Sequence, residues 1–201
     1  MEEVLSGVFH WTVLHPRIGI PVSSYYLEEE SVLIDPFVPP EGLDCFREAP
    51  RHVLLTNRHH YRDSKKFVDR FGCAVHCVES GLHEFTQGEK IQPFRFGDEL
   101  TGGIRAVEIG VLCPDETALH IPRDGPEGDG MVALADGVIR DGNGPLSFVP
   151  DGFMGEDPEG IKSGLRHAYR DLLDHDFDHL LLAHGMPWIG GAKQALADFV
   201  G

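Results

Sequence analysis

Apolar positions along this chain recur with two periods. Short apolar runs, alternating or continuous, predict strands in the GVFHWTVLH region at 8–15, in SSYYLEEE, in SVLIDPFV at 31–38, in HVLLTN at 52–57 and in CAVHCV. Helical spacing takes over in DSKKFVDRFG, where Phe67, Val68 and Phe71 share one face and Gly72 supplies a C-terminal cap. EGLDCFREA at 41–49 predicts another short helix. IQPFRFGDEL, TGGIRAVEIG and TALHIP predict short strands separated by Gly-rich turns. RDGPEGDG at 123–130 predicts a polar loop, MVALADGVI a buried strand, and 141–158 a long surface loop. Asp157 can cap a helix with Pro158 in its first turn, and Ile161, Leu165, Ala168, Tyr169, Leu172 and Leu173 form its apolar stripe. DHDFDHLLLAHG predicts a strand ending at His184–Gly185, and GGAKQALADFVG a last helix. No repeat or linker interrupts the series.

A chain of 201 residues with 41% apolar residues is long enough for one substantial core, so a single domain over 1–201 is expected. Charge narrows the partners. The 17 Lys and Arg against 33 Asp and Glu give a net charge of −16, which repels phosphate backbones and anionic lipid. A small-molecule ligand is therefore expected, with no nucleic acid and no membrane surface. MEEVLSGVFHW lacks the basic start and apolar run of a signal peptide, and no stretch has the ~20 apolar residues that cross a bilayer. Cys45, Cys73, Cys77 and Cys113 are too few for a disulfide framework. On a strand, Cys73 and Cys77 stand about 13 Å apart, too far to bridge. Core thiols in a cytoplasmic protein are the expectation.

LLTNRHHYRDS, Leu54 to Ser64, is where chemistry enters: two adjacent histidines, two arginines and an aspartate follow an apolar strand. In this order the segments resemble the metallo-β-lactamase-fold superfamily over nearly the whole chain. The resemblance is carried by LIDP at Leu33–Pro36, by Leu55–Thr56 ahead of a loop, helix and strand, and by Ala135–Asp136 where the family has Gly-Asp. It is carried most specifically by LLAHGMP, with the amphipathic helix before it and GGAKQAL after it. It implies the α+β class and a four-layer αββα sandwich. It also implies a metal motif after Leu-Thr, His-x-His-x-Asp-His, completed by a middle-loop His and by the Asp and His at two later strand ends.

Set from Thr56, that motif meets Asn57 in its first His position, His59 in its second, Tyr61 in place of the Asp and Arg62 in the last. Leu112 stands where the middle-loop His belongs, while Asp136 and His184 keep their places. A register two residues later makes His59 and Asp63 the first His and the Asp, with Tyr61 in the second His position. The resemblance thus implies an eroded site: one divalent metal (Zn, Fe or Mn) on His59, Asp136 and His184, or none. Two functions remain open. One is a mononuclear hydrolase of a small anionic or ester-type substrate, polarised by Tyr61 or Arg62. The other is a non-catalytic descendant that binds a small anion or a protein partner in the old cleft. If the loop is extended, His60 points away from His59, into solvent or behind a ligand. Arg51, Arg58 and Arg62 are candidates to hold an anion. Asp35 is assigned to the fold, Cys113 to an inert thiol and His120 to a strand.

Overall fold

The computed structural model describes residues 1–123 and 130–201. Among these, β1 (Glu2–Leu5), β2 (Val8–Leu14), β3 (Pro21–Leu27), β4 (Val32–Ile34), β5 (His52–Leu54), β6 (Ala74–Val78) and β7 (Ile91–Phe94) lie side by side in chain order. The first four are joined antiparallel, and β4 to β7 run parallel. The crossover from β5 to β6 carries α1 (Ser64–Phe71), which ends on Gly72 in the left-handed conformation at φ 75°. β8 (Arg105–Glu108), β9 (Thr117–Ile121) and β10 (Met131–Leu134) begin the second sheet. β11 (Val138–Arg140) and β12 (Leu146–Phe148) form a separate ribbon, and α2 (Pro158–Leu172) follows. β13 (His179–Leu182) pairs parallel with β10, β14 (Trp188–Ile189) closes the edge, and α3 (Ala192–Val200) ends the chain.

Side-chain alternation builds the layers. Tyr26, Leu33, Val53, Leu55 and Val75 point outward from the first sheet and meet Phe67 of α1. Tyr25, Leu27, Val32, Ile34 and Leu54 point inward, against Leu119, Ile121, Met131, Ala133 and Leu181 of the second sheet. That sheet's outer face, Ala118, Val132, Leu134, Leu180 and Leu182, is covered by Leu165, Tyr169 and Leu172 of α2 and Leu196 of α3. Helix, sheet, sheet, helix is the expected αββα order. Asp157 caps α2 through its side chain, which accepts from the Gly160 amide at 3.0 Å.

Three expectations change. Residues 41–49 form only a 3-10 turn at Leu43–Cys45, held between Pro39–Pro40 and Pro50. Phe46 instead packs edge-on against Trp11, Tyr26, Phe67 and Phe71, and that packing decides the local path. The long loop at 141–158 contains β12, whose Phe148 ring packs at a tilt against Phe199, centroids 4.6 Å apart. MVALADGVI breaks in two at Ala135–Asp136–Gly137, so Asp136 stands at a strand end. The loop expected at 123–130 lies, apart from its first and last residues, outside the described residues. Among the described residues no helix is long and apolar enough to cross a membrane.

Candidate metal centre

Four strands, two parallel pairs, stop at one edge of the sandwich. β4 delivers Asp35, β5 delivers Thr56 and Asn57, β10 delivers Asp136 and β13 delivers His184. Asp35 adopts a left-handed backbone at φ 47°, a strained conformation for a residue with a side chain, of the kind found at functional sites. Its buried carboxylate accepts the Thr56 amide at 2.9 Å and the Thr56 hydroxyl at 2.5 Å, and lies 2.8 Å from His60 Nδ1.

The loop after Thr56 is a 3-10 turn over Arg58–Tyr61, not an extended segment. Asn57 caps it: its Oδ1 accepts the His59 amide at 2.9 Å, and its carbonyl accepts the His60 amide at 3.2 Å. In such a turn residues three apart share a face. Asn57 and His60 therefore point together, both onto the Asp136 carboxylate. Arg58 and Tyr61 share the next face, Arg58 paired with buried Asp115 and Tyr61 packed on Phe85 at 5.7 Å. The third face is left to His59, which is exposed.

Asp136 is the meeting point. Its Oδ1 lies 2.9 Å from His184 Nε2 and 3.1 Å from His60 Nε2, and its Oδ2 accepts Asn57 Nδ2 at 2.9 Å. His60, Asp136 and His184 each offer one ligand atom, all within 4.8 Å of one another. Two imidazole nitrogens and a carboxylate oxygen suit a divalent metal such as zinc, iron or manganese. His60 also has the backing such ligands carry, its other ring nitrogen being held by the Asp35 carboxylate. The residues fit.

The electrostatics follow from burial and pairing. Burial pulls the His60 pKa down, but Asp136 and then Asp35 outweigh it and hold the ring up at about 9. Burial pushes the Asp136 carboxyl up, yet His60 and His184 bring it well below the ordinary range. Asp35 is likewise lowered, His60 overcoming its burial. Behind Asp136, Glu116 receives the Gly137 amide at 2.9 Å, and burial pushes its carboxyl up to about 7.

No protein-family profile and no curated protein matches the chain. Solved structures do. A metallo-β-lactamase family protein from Thermus thermophilus superposes with a TM-score of 0.67 at 15% identity, covering 98% of this chain and 79% of that one. A B3 metallo-β-lactamase with an active-site glutamic acid gives 0.64 at 15% identity over 89% and 81%. The flavodiiron protein from Giardia intestinalis gives 0.66 at 15% identity over 98% of this chain and 58% of that one. The chain has the metallo-β-lactamase fold.

On this metallo-β-lactamase fold the residues singled out in the sequence separate cleanly. Asp136 and His184 are brought together, and His60 joins them in place of His59, because the turn advances by thirds and not by alternation. Tyr61 faces the α1 side, and burial raises its pKa. Arg62, at φ 45°, spans the site from behind: its Nη1 donates to the Ser23 carbonyl at 2.5 Å and the Asp35 carbonyl at 2.6 Å. Arg58 is committed to Asp115, and Arg51 sits exposed at the opposite end of β5. Leu112 packs into the α2–α3 core, and burial pushes the Cys113 thiol up to about 12, so it stays protonated. Asp35 does more than support the fold, since it orients His60. His120 is a strand residue of β9, its Nε2 2.8 Å from the Asp176 carbonyl.

Proposed function

We propose that the protein is a hydrolase working with a single divalent metal, zinc, iron or manganese, held by His60, Asp136 and His184. The observation that carries this reading is the convergence of the three donor atoms within 4.8 Å, with Asp35 behind His60. The neighbours' names, metallo-β-lactamase and flavodiiron protein, associate the fold with metals. Asn57 accounts for the erosion. Its amide nitrogen donates to Asp136 Oδ2 from the position where the family motif has a His, so Oδ2 is committed to Asn57 and Oδ1, between His60 and His184, is left as the ligand atom. When bound, such a metal polarises a carbonyl oxygen and acidifies water. Asp35 fixes the tautomer of His60, and Asn57 fixes the rotation of Asp136.

The substrate class follows from the arginines. With Arg58 paired to Asp115, Arg62 bound to backbone carbonyls and a net charge of −16, an uncharged ester-type substrate is favoured over an anionic one. The four free thiols suit a cytoplasmic setting. The test is hydrolysis of a neutral chromogenic ester by protein loaded with Zn(II) or Mn(II), before and after chelation. Turnover should depend on metal and be lost in His184→Ala. Hydrolysis indifferent to both chelator and substitution would overturn the assignment.

A further inference from the structure

The two histidines of the cluster are not held alike. His60 is gripped at both ring nitrogens, by Asp35 and Asp136. His184 touches Asp136 through Nε2, while among the described residues its buried Nδ1 has no hydrogen-bond partner. Among the described residues no second carboxylate orients this ring, so its direction depends on where the backbone puts it.

The backbone around His184 is held from its own side by the Arg140 amide on the His184 carbonyl at 3.1 Å and the Leu134 carbonyl on the Ala183 amide at 3.0 Å, and from the other sheet by Ser23 of β3. The Ser23 amide donates to the carbonyl of Ala183 at 2.9 Å, and its hydroxyl donates to the carbonyl of Gly185 at 2.8 Å. These bonds grip the residues on either side of His184. Ser23 has nothing left to give elsewhere. Its hydroxyl proton goes to Gly185, so the His10 Nε2 at 2.9 Å must be the donor to Ser23 Oγ, and the Ser23 carbonyl accepts from Arg62. Ser23, His10 and Gly185 are thus one chain of bonds, and Ser23 itself is 1% exposed. Gly185 completes the clamp. At φ 95° a Cβ there would lie 2.2 Å from the Arg140 carbonyl oxygen, so the turn after His184 has one path.

We propose that the Ser23 side chain positions His184: its hydroxyl fixes the Gly185 carbonyl beside the bond that the Ser23 amide makes to Ala183, and so aims the imidazole at Asp136, with His10 setting the direction of the hydroxyl. Its consequence for metal binding rests on the function proposed above. The placement of the ring does not.

The experiment reads both. In metal-free protein the imidazole N–H that His184 shares with Asp136 should give an exchange-protected NMR resonance. Ser23→Ala should broaden or shift it, and His10→Leu should do so more weakly. Tyr26→Phe, which removes a hydrogen bond to the Glu48 carbonyl on the far side of the same sheet, should leave it unchanged. With Co(II) as probe, Ser23→Ala should weaken binding about 10- to 100-fold, as loss of an outer partner does, and alter the visible absorption spectrum. Tyr26→Phe should change neither. A His184 resonance unmoved by Ser23→Ala, or moved equally by Tyr26→Phe, would overturn the proposal. If wild-type protein bound no Co(II), the metal assignment would fall, and the His184 resonance alone would decide the role of Ser23.

Discussion

Glu116 is the residue through which the site should announce itself in solution. Its carboxyl is pushed from the ordinary 4.5 up to about 7, chiefly by burial. Between those values the folded chain keeps a proton that the unfolded chain has released, so stability falls as pH rises through this window. The effect is on the order of 3 kcal/mol. Urea titrations of metal-free protein at pH 5 and pH 7 should show this loss, and Glu116→Gln should flatten it; an unchanged slope in the variant would assign the loss elsewhere. Asp35 and Asp136 act at the other end, since their lowered carboxyls contribute stability that disappears as pH falls below the ordinary carboxylate range. At this scale the sequence was partly legible. Asp136 and His184 are the positions to which the resemblance assigns the late Asp and His. His60 is not reached that way, because the alternation that favours His59 assumes extended backbone. The overlooked signal is Asn57, a capping residue directly after a strand, which turns the next residues into a 3-10 turn where positions three apart align.

Gly137 shows how the elements hold the site. It closes the turn between β10 and β11, and a Cβ there would stand 2.3 Å from Tyr169 Oη, 2.8 Å from Leu165 Cδ2 and 3.0 Å from Glu116 Oε1. α2 therefore packs directly on the backbone next to Asp136. Gly137→Ala should cost about 1–3 kcal/mol, the range for overpacking. Among the described residues the buried Tyr169 hydroxyl has no partner, so Tyr169→Phe should be tolerated and should recover part of the Gly137→Ala loss. Thermal melts of the two single variants and the double variant test this, and strictly additive losses would refute the contact. Strands and helices with strong periodicity, such as β2, β6 and α2, were legible in the chain. The helix expected at 41–49 was not there, because Phe46 gains more by joining Trp11, Tyr26, Phe67 and Phe71 than a proline-bounded helix could offer. β12 was hidden by its Gly- and Pro-rich surroundings, and only pairing with β11 makes it a strand.

Across the whole molecule, two sheets and their covering helices serve to bring four strand ends to one edge. The Ser23–Ala183 and Thr117–Thr56 backbone bonds, at 2.9 and 2.8 Å, tie the sheets together at that edge. The net charge of −16 acts at the same scale. It should repel a carboxylate-bearing ester, so kcat/KM for that substrate should rise with added NaCl, while a neutral ester responds little. Equal salt responses would mean the charge is not felt at the cleft. The central claim is one metal on His60, Asp136 and His184, and its most direct test is the zinc content of chelator-stripped, reloaded protein. Wild type and His59→Ala should each retain one equivalent per chain, and His60→Ala none. Two equivalents in wild type, none at all, or loss on replacing His59 with retention on replacing His60, would contradict it.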